Sequence, residues 1–73
     1  MSVNDVDRKT LVLRAFAKGP KKVEEIVEKT EVPKSSVYRI INNLIAEGSI
    51  QRLMGRFALT TSGRKKYAGQ LEN

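Results

Sequence analysis

The residues with the most chemical content lie between Pro33 and Glu47. A helix over 33–47, at about 100° per residue, puts Val37, Ile40, Ile41, Leu44 and Ile45 on one apolar face. The other face carries Ser35, Arg39, Asn42 and Asn43, flanked by Ser36 and Tyr38. An ordinary solvated helix face favours Glu–Lys pairs four residues apart. Ser and Asn are mediocre helix formers, so their presence here costs helix stability and asks for another reason. Each of these side chains suits a nucleic acid. Arg forks onto guanine O6 and N7, Asn onto adenine N6 and N7, and Ser onto phosphate oxygens. Lys34 adds a cation at the positive end of the helix, where a phosphate is favoured. Arg52 and Arg56 flank Met54-Gly55 at the tip of an expected hairpin, placed for phosphate or minor-groove contact.

Other chemistries lack their parts. The chain has 73 residues with neither Cys nor His. That removes a disulfide framework, a thiolate metal site, a Cys nucleophile and the commonest general base. Glu24 and Glu25 are adjacent, so on a helix they point apart, and no supporting group accompanies them. No phosphate-loop, dinucleotide-binding or zinc-protease motif occurs. The expectation is a non-enzymatic protein with no catalytic residue, metal or cofactor. Residues 1–5 are polar, and the longest unbroken apolar run is Leu11–Leu13. Neither signal peptide nor membrane span is expected, which suggests a cytoplasmic, nucleoid-associated protein.

The net charge of +6 comes from 14 Lys and Arg against 8 Asp and Glu, unevenly placed. Residues 1–22 carry +4, residues 23–32 carry −3, residues 33–70 carry +6, and Glu72 adds −1. A surface built only for solubility intersperses its signs. Two basic blocks around one acidic segment instead suggest a polyanion footprint.

The elements that must position these groups follow from periodicity. A first helix is expected over Asp5–Lys18, capped by Asn4 or Asp5, with Asp7 also favourable near its start. Its apolar stripe is Val6, Val12, Leu13, Phe16 and Ala17, and Gly19-Pro20 ends it. Leu11 and Ala15 fall about opposite that stripe, as scattered surface apolars or as a dimer contact. A second helix runs from Val23 to Lys29 or Thr30, burying Val23, Ile26 and Val27, and Pro33 then enforces a turn. Gly48 closes the third helix. Strands Ser49–Leu53 and Arg56–Thr60 flank a two-residue turn, which pairs Ile50 with Leu59 and Arg52 with Phe57. A last helix starts at Thr60 or Thr61, weakened by Gly63. Its Tyr67 and Leu71 pack on the core or on a second subunit, and residues 70–73 fray. The whole is one domain, 1–73, with an ordered core of about 5–70.

This order, together with the segment LVLRAFAKGPKKVEEIVEKTEVPKSSVYRIINNLIAEGSIQR and the later GRFALTTSGRKK, resembles a winged helix-turn-helix domain. The similarity is to IclR-type and archaeal MarR-like transcription regulators and covers about residues 5–68. It implies an α+β, mostly helical fold: a three-helix core, a short two-stranded wing and a C-terminal helix. It further implies that helix 33–47 enters the major groove of double-stranded DNA, with Lys34, Ser35, Ser36, Tyr38, Arg39 and Asn42 at contacting positions. The wing, Arg52–Arg56, would touch backbone or minor groove. Dimerisation through the first and last helices would use Leu11, Ala15, Tyr67 and Leu71. The implied function is sequence-selective DNA binding by a small transcription regulator.

Three departures modify those expectations. Glu31 stands where the family's turn usually has Gly, which predicts backbone strain or a differently shaped turn. The wing is very short, limiting minor-groove reach, and lacks the aromatic and proline residues of Z-form binders. No effector domain follows, so affinity would depend on concentration, partners or competition rather than on a small-molecule effector. The rival reading is a protein-interaction winged helix of a replication or transcription-initiation complex, docking through the acidic Glu24–Glu31 segment and Leu11.

Overall fold

A computed structural model describes residues 5–71, and the side chains of residues 8–71. The expected cap Asn4 lies outside this description, as do the side chains of Asp5, stripe member Val6 and Asp7, and the terminal Glu72 and Asn73. Three helices come first: α1 (Asp5–Ala15), α2 (Val23–Thr30) and α3 (Lys34–Ala46). Strands β1 (Ile50–Leu53) and β2 (Arg56–Leu59) form an antiparallel hairpin, followed by α4 (Thr61–Lys66) and α5 (Ala68–Leu71). The fold is a winged helix-turn-helix.

Apolar residues at helical spacing give the core. Val12, Leu13 and Phe16 from the first helical segment meet Ile26 of α2 and Val37, Ile41 and Leu44 of α3, all at most 1 % exposed. Ile50, Leu59 and Tyr67 close the other side. Helix α1 ends at Ala15, three residues before the expected Lys18. The chain tightens there, with Phe16 N–H bonding the Leu13 carbonyl and Ala17 N–H bonding the Arg14 carbonyl. Such three-residue turns are the usual way a helix end satisfies its last carbonyls.

The tightened turn leads to Lys21, whose N–H and carbonyl both pair with Phe57 at 2.9 Å. This isolated bridge adds a third, one-residue strand to the wing. The hairpin register is Ile50 opposite Leu59 and Arg52 opposite Phe57, as the two-residue turn requires. Both turn residues have positive φ, Met54 at 51° and Gly55 at 82°, the type I′ geometry that matches strand twist.

The end of α3 is fixed by backbone bonding. Gly48 has φ 83°, its N–H bonds the Ile45 carbonyl, and Ser49 N–H bonds the Leu44 carbonyl. This double bond pattern is the Schellman close. Thr60 N–H then bonds the Ser49 carbonyl, and the Thr60 hydroxyl bonds the Gly48 carbonyl at 2.7 Å. Thr60 also caps α4, accepting from Gly63 N–H at 3.0 Å. Gly63 therefore has a packing role. A Cβ there would sit on the Ser49 carbonyl oxygen, so the residue that weakens helix propensity permits the close approach of α4 to Ser49, just before β1.

The expected single last helix is two. Tyr67, at φ −109° and ψ 17°, breaks it and turns α5 back onto α1. Arg14 Nε bonds the Gln70 carbonyl at 3.0 Å, and the Thr10 hydroxyl bonds Gln70 Oε1 at 3.3 Å. Gln70 is tethered, contrary to the expectation that fraying starts there. Of the four residues offered for a dimer contact, Ala15 is 2 % exposed and Tyr67 6 %. Both belong to this chain's own core, with Leu11 and Leu71 partly buried beside them. Helix α1 packs against α2, α3 and α5, so a single apolar stripe could not describe it.

Glu31 holds the turn between α2 and α3 in the left-handed region, at φ 61° and ψ 14°, while its N–H bonds the Val27 carbonyl at 2.8 Å. The turn thus keeps its tight shape and accepts the strain. Replacing Glu31 by Gly is expected to stabilise the domain by about 1 kcal/mol. Thermal melting should show a rise of roughly 4–8 °C, and an unchanged or lower midpoint would contradict strain at this turn.

Candidate nucleic-acid interface

Helix α3 buries one face and presents the other. Val37, Ile40, Ile41 and Leu44 are buried and Ile45 is half-buried. Lys34, Ser35, Tyr38, Arg39, Asn42 and Asn43 are exposed, Tyr38 to 42 %. Ser36 differs from the rest. It is half-buried, and its hydroxyl accepts from Arg8 Nη1 at 3.2 Å. Arg8 therefore joins α1 to the first turn of α3, which periodicity within α3 had no means of revealing. Lys34 lies 3.4 Å from Glu24 and 5.9 Å from the centre of the Tyr38 ring. The Glu24 carboxyl is held below its ordinary range, first by its own backbone N–H and then by Lys34.

Helix α2 is started by Glu25, whose carboxylate accepts from Lys22 N–H at 2.9 Å. Anions in a first turn are favourable, so two of the four acidic residues in this segment serve local contacts. Between α1 and α3 lies a shallow depression of about 110 Å³, lined by Lys9, Arg39, Asn43 and Glu47 with Ile40 and Leu44 at its base. Lys9 thereby stands beside two of the expected contact residues, although it occupies a different helix. It also covers the Tyr67 ring at 4.9 Å.

In the wing, Arg52, Leu53, Met54, Gly55 and Arg56 are all exposed. Arg52 places its guanidinium 5.8 Å from the Phe57 ring centre, opposite it in the register.

Glu47 is the joint between these parts. Its Oε2 accepts from Ser49 Oγ at 2.7 Å and from the Tyr67 hydroxyl, and lies 3.4 Å from Lys66 Nζ. Tyr67 first, then Ser49, lower its pKa to about 2 against an ordinary 4.5. One carboxylate thus links the end of α3, the start of β1 and the C-terminal segment. The signal available in sequence was its isolation, since Glu47 is the single acidic residue between 33 and 70.

Among the described residues no group of His, Cys, Asp and Glu is placed to hold a metal ion, and no helix is long and apolar enough to cross a membrane. A helix with a polar outer face, set after a tight turn and followed by a basic hairpin, defines a winged helix-turn-helix DNA-binding domain. Residues 6–53, from α1 through β1, match the IclR helix-turn-helix domain, and the chain belongs to that family. No curated protein gives a significant match. The family makes this a DNA-binding domain of the transcription-regulator type and points to a non-enzymatic role.

Because the Glu47 pKa is lowered on folding, its contribution is complete above about pH 4.5 and fades as pH falls toward 2. Hydrogen bonds to a charged group contribute roughly 1.5–3 kcal/mol, and partial exposure of this carboxylate places it at the low end. Thermal melts from pH 6 to pH 2 should show Glu47→Gln losing less stability over this interval than the native chain. Parallel curves would rule out this role.

Proposed function

We propose that the protein binds double-stranded DNA with sequence selectivity, inserting α3 into the major groove. The observation that carries this reading is the outer face of α3, where Ser35, Tyr38, Arg39, Asn42 and Asn43 stand exposed over a buried apolar face. Arg39 and Asn42 have the donor patterns for guanine and adenine edges. Lys34, Ser35 and Ser36 suit backbone phosphates, with Ser36 oriented by Arg8. Arg52 and Arg56 supply sequence-independent contacts from the wing. Regulation would follow from occupancy, by occlusion or recruitment at a promoter.

A dimer would read half-sites about 34 Å apart or at multiples of that spacing. The surface available to it is smaller than the sequence suggested, since only Leu11 and Leu71 of the four expected contacts stay partly exposed. The protein-docking alternative rests on the acidic side of α2. It is weakened by the use of Glu24 on Lys34 and of Glu25 on the helix start.

Selection of bound duplexes from a random pool, followed by titration at several salt concentrations, tests the reading. With about five phosphates neutralised, log K should fall against log salt with a slope near −4.5. Arg39→Ala should weaken binding to the selected duplex by about 1–3 kcal/mol and relax one base preference. Unchanged affinity and preference would remove Arg39 from the interface. Replacing Arg52 and Arg56 together by Ala should weaken all duplexes alike and flatten the salt slope by about 2. A sequence-dependent loss would contradict a backbone-only role for the two arginines.

A further inference from the structure

Three large apolar side chains are exposed among the described residues: Tyr38, Leu53 and Met54. Two of them are neighbours at the apex of the wing. Met54 is 95 % exposed and Leu53 45 %. Met54 also occupies the left-handed region, at φ 51°, in a turn whose favoured dipeptide is Asn-Gly. A methionine there is unfavourable twice in the isolated protein. Its backbone is strained by about 1 kcal/mol, and its apolar surface remains in water. Hairpin register does not require it, because the two-residue turn already pairs Leu53 with Arg56. Arg52 and Arg56 flank the apex, and no acidic residue occurs between Gly48 and Gln70. The surface that complements such an apex has negative charge outside and apolar, stackable material inside.

We infer that Met54 is a wedge that enters the minor groove and partly unstacks one base step, bending the duplex. This rests on the DNA-binding reading above and adds to it a residue and a deformation. Minor-groove proteins insert Leu, Ile or Met side chains between bases and kink the helix by about 20–90°. Arg52 and Arg56 hold the two phosphate walls, while Leu53 packs against sugar at the groove edge. The four-residue strands limit how far the wing reaches, so only the apical side chain enters the groove, one residue at one step. Pyrimidine–purine steps, which unstack most easily, are the preferred sites. Met54 thereby adds a sequence preference through deformability, without a hydrogen bond to any base, while Arg52 and Arg56 keep their backbone role.

The test uses the full chain and a duplex of about 30 bp with 2-aminopurine at a central TA step and dyes at its ends. Binding of the native chain should raise 2-aminopurine fluorescence and bend the duplex by at least about 20°, seen as increased energy transfer. Met54→Asn should lose both signals while keeping its salt dependence. Because Asn tolerates the left-handed turn, this variant should melt no lower than the native chain, separating loss of the wedge from unfolding. Native binding without unstacking or bending, or both signals persisting in Met54→Asn, would overturn the wedge and leave DNA binding standing. Failure to bind any duplex at low salt would overturn both. Met54-dependent sedimentation with phosphatidylglycerol vesicles, without unstacking of DNA, would assign the apex to an anionic lipid surface instead.

Discussion

Burial of one face of α3 is the constraint on which the rest of the structure depends. Val37, Ile40, Ile41 and Leu44 leave almost no surface in water. A buried aliphatic side chain contributes about 1.5–3 kcal/mol, a large share for a domain of this size. That burial fixes the rotation of the helix about its axis. Once rotation is fixed, Ser35, Tyr38, Arg39, Asn42 and Asn43 share the outer face. Selectivity for bases needs such rigidity, since bidentate contacts tolerate little misorientation.

The remaining elements hold that helix at its two ends. Arg8 bonds Ser36 at the first turn, and Glu47 gathers Ser49, Tyr67 and Lys66 at the last. Gly63 lets α4 approach the Ser49 carbonyl closely enough for Thr60 to bond both Gly48 and Ser49. Helix α5 then lies along α1 through Arg14 and Gln70. The family match ends at Leu53, yet the residues after it complete the core through Leu59 and Tyr67.

What was legible in the sequence was local. The faces of α3 follow from its period, the hairpin register from its turn, and the helix ends from Gly48 and Thr60. What was hidden depended on distant partners. Ala15 is buried although it lies off the apolar stripe, since α1 packs against α2, α3 and α5 together, and no helical wheel carries that information. Tyr67 breaks the last helix, and its hydroxyl bonds a carboxylate twenty residues earlier in the chain. Glu31 shows a different limit: sequence flagged an unsuitable residue for the turn, but only the backbone reveals that the tight turn survives it. In the candidate interface, Arg8 and Lys9 were missed because they reach α3 from another helix.

The pair of hydrogen bonds between Lys21 and Phe57 has a mechanical consequence. A free hairpin is hinged at its base and can pitch and roll. Here the second strand is also clamped to the segment entering α2, so the pitch of the wing is set by the helical body rather than by its own flexibility. The spacing between α3 and the apex then behaves as a fixed gauge. Lengthening the stretch between α1 and α2 would shift that gauge without altering a residue of either contact surface.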